Sequence, residues 1–146
     1  MKLPRNPSFY LLASIVVLWV LFVFFASYTP APPITYDHNG SVEPKQVRAG
    51  DSVIVYRTFT ITRKQRVTIH RRMVNGDCAK ACDVIDMQSS QYAALPGTYT
   101  LQKRNLYIPK GAHPGMWRLE FSLQWDDFLG RSHSSRIPSL DIVVIP

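Results

Sequence analysis

The pattern of apolar and polar positions changes character once along this chain. Phe9 to Ala26 reads FYLLASIVVLWVLFVFFA, eighteen consecutive residues without a charge in which Ser14 is the sole hydrophilic side chain. As a helix rising about 1.5 Å per residue, this run covers roughly 27 Å, close to the thickness of bilayer hydrocarbon. A helix buried in a soluble core would ordinarily carry a polar stripe, and none is visible. The run therefore predicts a transmembrane helix over residues 8–27.

From Val47 onward the period drops to two, in short stretches punctuated by Gly, Pro, Asn and Asp, which is the signature of strands. Asp51 to Thr62 places Val53, Val55, Phe59 and Ile61 on one parity, with Arg57 interrupting the set and predicting a bulge or an exposed end there. In RVTIHRRMV, Val67, Ile69 and Met73 share a side that Arg71 also occupies. DVIDMQ, TYTLQ and NLYIP are shorter candidates. The clearest strand is MWRLEFSLQW, where Trp117, Leu119, Phe121, Leu123 and Trp125 alternate with polar residues. SLDIVVIP puts Leu140, Ile142 and Val144 together. About seven strands at this spacing, with no helix-period segment after the first thirty residues, predict an all-β domain of two antiparallel sheets packed face to face.

Charge sets the orientation. Lys2 and Arg5 precede the span, whereas the first basic residue beyond it is Lys45, so the positive-inside rule leaves residues 1–7 in the cytoplasm and exports the remainder. A cleaved signal peptide is the rival reading, but cutting after Ala26 would put Phe24 where a small side chain is wanted, and Pro32 and Pro33 follow Ala31. An uncleaved anchor in the cytoplasmic membrane is expected, with the C-terminal domain periplasmic or extracellular. Residues 28–44, rich in proline, read as an extended spacer, and residues 45–146 as the β domain.

The layout resembles an immunoglobulin-like sandwich, and Ile108 to Trp125, IPKGAHPGMWRLEFSLQW, is similar to the turn that leads into a core strand in many exported immunoglobulin-like modules. The antibody-type Cys, Trp, Cys spacing is absent. A short start, one span, a proline-rich spacer and a small sandwich also resemble small uncharacterised membrane proteins of tailed bacteriophages.

The two cysteines, Cys78 and Cys82, have three residues between them. An oxidising compartment favours their pairing, which requires the loop to curl, since residues four apart on a strand are about 13 Å apart and on a helical turn about 6 Å. NGD starts turns and CAKAC favours one helical turn, so a small disulfide loop is expected. The spacing also resembles the copper loop of membrane-anchored oxidase subunits, but Asp86 and Ser89 stand where that loop has histidine and methionine. A copper or zinc carrier is thus a remote alternative, and no cofactor or metal site is expected.

Of the formal charge of +7, Lys2 and Arg5 contribute +2, leaving +5 beyond the span. Arg63, Lys64, Arg66, Arg71 and Arg72 cluster in RKQRVTIHRR, read as a turn followed by a strand. They form either a patch for anionic polymer or lipid or a solubilising edge strand, the latter preferred. Asp126, Asp127 and Arg131 fall in WDDFLGRSH, read as a hairpin loop with Gly130 at positive φ. The histidines are isolated and no catalytic motif is present, so no enzyme is expected. The leading expectation is a non-enzymatic protein-binding or assembly module, with contact surfaces at the Cys78–Cys82 and Asp126–His133 loops. Its partners would be the bilayer, through residues 8–27, and another membrane or envelope protein. Nucleic acid is disfavoured by the compartment, and self-association is left open.

Overall fold

The computed structural model describes residues 7–28, 30–37, 40–77 and 81–146, with side chains omitted at 7, 9, 77, 81 and 94. Two units are present, one ending at Ala31 and the other spanning Pro32–Pro146. The first is a single helix, α1 (Pro7–Ser27), whose window Tyr10–Ser27 has a mean hydropathy of 2.5. It is long and apolar enough to cross a membrane, and its side chains are exposed on every side, Leu11, Trp19 and Phe22 each by about two thirds. A helix of this kind fits a membrane anchor or a signal sequence. Within it, the Ser14 hydroxyl is satisfied internally by donating to the Tyr10 carbonyl oxygen at 2.8 Å.

The second unit is an all-β sandwich of nine strands: β1 (Ile34–Tyr36), β2 (Ser41–Glu43), β3 (Gln46–Arg48), β4 (Ser52–Ile61), β5 (Gln65–Asp77), β6 (Ala81–Ala94), β7 (Gly97–Tyr107), β8 (Gly115–Asp126) and β9 (Ser132–Ile145). In the first sheet, β7 runs antiparallel along one side of β4, while β1 and β2 share its other side end to end. In the second the order is β3-β9-β8-β5-β6, antiparallel except for the parallel β3–β9 pair.

The strand count of seven is corrected to nine. β1 and β2 lie within the stretch read as a proline-rich spacer, so the sandwich begins about ten residues earlier than expected. Each of β1 to β3 is three residues long and contributes one buried apolar side chain, Ile34, Val42 and Val47, too little for a period to register. TYTLQ and the NLY of NLYIP belong to the single strand β7, which ends at Tyr107 before Ile108 and Pro109.

The expected inward parities hold for β4, β5, β8 and β9, and they close the core between the sheets. That core is divided. One cluster gathers Val42, Val53, Val55 and Leu106 of the first sheet on Met73, Trp117, Leu119 and Ile142 of the second. The other gathers Ile34 and Ile61 on Val67, Leu123, Trp125 and Ile137. Phe121 packs against both. At that level the register breaks in three ladders: β4–β7 between Arg57 and Phe59, β5–β6 between Ile69 and Arg71, and β8–β9 between Leu119 and Phe121. Each break sets two residues against one, interrupting the ladder and bending the strand.

Candidate functional site

The division of the core has a cause in the sequence: arginines stand at inward positions of β4 and β5. Arg57 is buried, with 7% of its surface exposed, so the expected exposed end is not present, and the bulge lies not in β4 at Arg57 but in the facing stretch of β7, where Thr100 and Leu101 oppose Thr58. Its guanidinium crosses the sandwich, donates from Nη2 to the Pro138 carbonyl oxygen and lies 5.1 Å from the centre of the Phe121 ring. Pro138 sits in the β8–β9 bulge, where the interrupted ladder leaves its carbonyl for a side-chain donor. Nη1 of Arg57 is buried without a hydrogen-bond partner. Gly40 makes room for it, since a Cβ there would come within 2.8 Å of Nη1.

Arg71 repeats the arrangement from β5. It donates to the Gln88 carbonyl oxygen in the β5–β6 bulge at 3.3 Å and to the Tyr92 hydroxyl at 3.0 Å. From β7, Arg104 lies over the ring of the same tyrosine, 5.3 Å from its centre. The β7 bulge puts Leu101 at φ 46, a strained conformation for a branched residue, held by its amide donating to Thr58 Oγ1 at 3.2 Å.

These groups surround a cavity of about 490 Å³ between the sheets. Its walls are Val55, Phe59, Ile61, Ile69, Phe121 and Ile137; its polar groups come from Arg57, Arg71, Arg104, Tyr36, Tyr92 and Tyr99. Among the described residues that line it there is no Asp or Glu, and none of the three arginines pairs with a carboxylate. Burial pushes the Tyr36 phenol up to about 12, against the pull of Arg57. Burial likewise lowers the proton affinity of Arg57, with Tyr36 opposing. For Tyr92 burial acts upward, but the hydrogen bond with Ser90 and the charges of Arg71 and Arg104 outweigh it and hold the phenol below its usual range.

The basic run disperses on folding. Arg63 and Lys64 lie in the turn before β5, Arg63 Nε donating to Gln65 Oε1 at 2.8 Å. Arg66 and Arg72 face outward, whereas Arg71 faces the cavity. Arg72 pairs with Glu120 at 2.7 Å. Nor is β5 an edge strand, as the solubilising reading required, because β6 and β8 flank it.

The β8–β9 hairpin loop is present, with Gly130 at φ 75. Asp127 is its internal anchor: its side chain is 1% exposed and accepts from the Leu129 and Arg131 amides, from Arg131 Nε at 2.8 Å and from His133 Nε2 at 3.0 Å. Desolvation favours the neutral acid, but the His133, Arg131 and Leu129 donors outweigh it and hold the carboxyl well below the usual carboxylate range. Asp126 accepts from the Ser132 hydroxyl at 2.5 Å. The Asp127 carboxylate is thus committed to the loop, while Asp126 is exposed. Cys82 opens β6 opposite Gly76, so the strand already occupies part of the segment expected to form a helical turn; Cys78 lies outside the described residues. Cys82 and the Asp126–His133 loop stand at opposite ends of β5 and β8. His113 Nε2 meets Asp83 Oδ2 at 2.9 Å, and no group of three or more His, Cys, Asp or Glu gathers among the described residues.

Arg57 and Arg71 were both visible in the sequence as interruptions of an apolar parity. Arg104, Tyr36 and Tyr92 were not, because β7, β1 and the QSSQYAA half of β6 carry too few apolar residues to show a parity.

No family model matches the chain, and no curated protein matches it. Among solved structures it is similar to the sporulation control protein Spo0M of Bacillus subtilis, at 13% identity and a TM-score of 0.40 over 78% of this chain and 50% of that one. It is also similar to a family 123 glycoside hydrolase of Clostridium perfringens, at 12% identity and a TM-score of 0.39 over 78% and 27% of the two chains. A third likeness is to the ASH/PapD-like domain of human CEP192, at 14% identity and a TM-score of 0.36 over 82% and 95%. The chain thus spans half the Spo0M chain and about a quarter of the hydrolase.

Proposed function

We propose that this chain is a single-pass membrane protein with its N-terminus in the cytoplasm and an immunoglobulin-like sandwich outside, acting without catalysis as a protein-binding or assembly module. The observation that carries this reading is two long strand edges that no described residue pairs. β6, fourteen residues long, ends the second sheet, and β7, eleven residues long, ends the first. An unpaired edge offers a row of backbone donors and acceptors to an extended segment of another protein, with alternate side chains supplying selectivity. A disulfide between Cys78 and Cys82 would pin the hairpin that begins β6, consistent with an exported domain.

Photo-crosslinking in native membranes tests it. A benzophenone residue at Gln91 of β6 or Lys103 of β7 is expected to capture a defined protein, whereas one at Gln124, on the outer face of central β8, is not. Equal capture from all three positions would overturn edge docking. Protection of a C-terminal tag from protease added to spheroplasts would overturn the topology.

A further inference from the structure

The cavity gathers three arginines without a carboxylate among its described residues, Arg57 buried, Arg71 half-buried and Arg104 exposed at the mouth. Each of Arg72, Arg118 and Arg131 has a carboxylate within 4 Å, at Glu120, Asp141 and Asp127. The three arginines at the cavity have carbonyl oxygens, a phenol and ring faces instead. Removing a cation from water without an anion is costly, and a guanidinium pairs with a carboxylate more strongly than with a neutral acceptor.

We infer that the cavity binds a single-chain amphiphilic carboxylate, a fatty acid, with its headgroup between Arg71 and Arg104 and its chain against Phe59, Ile69, Phe121 and Ile137. Four observations on the cavity select this class. Its volume falls within the roughly 300–1,000 Å³ of small-molecule sites, so the occupant is a small molecule rather than a protein element. The apolar wall continues into both core clusters, which suits a hydrocarbon chain. The absence of Asp and Glu among its described residues selects an anion. Arg104 and Arg71 approach Tyr92 from different sheets, one over the ring and the other on the hydroxyl, so the phenol spaces two guanidiniums across the opening between β6 and β7. The choice of a lipid rather than another organic acid rests on the membrane reading above, which keeps the domain where such carboxylates are concentrated. The cavity itself owes nothing to the edge-docking reading.

The test uses the full chain in nanodiscs of phosphatidylcholine, with dansyl-undecanoic acid and its methyl ester as probes and empty discs as background. Saturable binding of the acid is expected, about tenfold or more tighter than the ester. Arg71→Gln with Arg104→Gln should weaken the acid about tenfold and leave the ester unchanged, while Arg72→Gln changes neither. If circular dichroism shows the double variant unfolded, Arg104→Gln alone, at an exposed position, should still weaken the acid at least about threefold. Equal affinities for acid and ester, no saturation above empty discs, or a folded variant with undiminished affinity would overturn the inference. Displacement by millimolar inorganic phosphate would also overturn it, by assigning a bare anion site. Because the discs expose both faces, these outcomes do not depend on the topology that the protease experiment decides.

Discussion

Arg71 and Arg72 are adjacent in the chain and opposite in their chemistry. Arg72 points outward, half exposed, and meets Glu120 across the β5–β8 ladder. Arg71 points inward, bonds a phenol and a bulge carbonyl, and has no carboxylate. Strand alternation is the whole of the mechanism: successive side chains leave opposite faces, so a basic run on a strand is two sets of charges in two media. Arg72 is solvated and ion-paired, whereas Arg71 is half-buried and held by neutral acceptors. A charge count along the sequence merges them, whereas the fold sends Arg71 to the cavity and Arg72 to an ion pair with Glu120.

The strongest way to sharpen this contrast is at Arg57. Arg57→Ala would strand the Pro138 carbonyl, enlarge the cavity and remove the stem that packs on Phe121. A loss of about 2–3 kcal/mol is expected in denaturant unfolding. Arg57→Met keeps the stem and removes a desolvated charge, and should cost about 1 kcal/mol or less. Equal losses for the two variants would mean that the charge itself holds the sheets together.

Next in size is the alkaline limb of stability. With its folded pKa raised to about 12 from an ordinary 10.0, Tyr36 contributes stability that is complete below pH 10 and is lost as pH rises from 10 to 12. The loss is about 1–2 kcal/mol, below the full two-unit value because the phenol keeps some solvent. Tyr36→Phe should flatten the curve in that window. The difference between the two proteins isolates Tyr36 from Tyr92, whose lowered pKa acts in the opposite direction.

At the acid end the loop carboxylate reverses the sign. The folded pKa of Asp127 is depressed, so its contribution is present above the ordinary value of 3.8 and is lost as pH falls further towards the folded value. Asp127→Asn is expected to lower stability at neutral pH and to remove most of the dependence below pH 4, as read by thermal unfolding in a pH series. The same substitution at exposed Asp126, which accepts a single hydroxyl, should do far less.

How much of this was legible depends on whether a signal is local. α1 was, because eighteen uncharged residues in a row need no context. β8 was, because Trp117 to Trp125 place five apolar side chains in register with one buried face. β1 and β2 were not: three residues carry one inward side chain, and pairing with β4 decides their state. β7 was misread as two strands because its edge position leaves Leu106 as its buried apolar residue, while the bulge at Leu101 shifts its parity midway. For the cavity, the inward arginines were visible as breaks in parity. The bulge carbonyls of Gln88 and Pro138 that receive them were not, since both lie on strands that meet β4 and β5 only after folding.

The smallest effect is the most direct check on the comparison. Arg72→Ala removes an ion pair whose arginine side chain is 52% exposed. Such a pair contributes roughly 0–1 kcal/mol, and screening shrinks that further as salt rises, because the charges already have water and mobile ions as alternatives. Stability of the variant is therefore expected to fall by less than about 1 kcal/mol at low salt and to converge on the parent near 1 M salt. Arg71→Ala should show the contrary pattern. Its bonds to Tyr92 and Gln88 involve no carboxylate for salt to screen, so any loss should persist at high salt. Measuring both variants across a salt series asks one question of two neighbouring residues. If both losses disappeared with salt, Arg71 would be a surface charge, and the distinction between an inner and an outer set of arginines would be wrong.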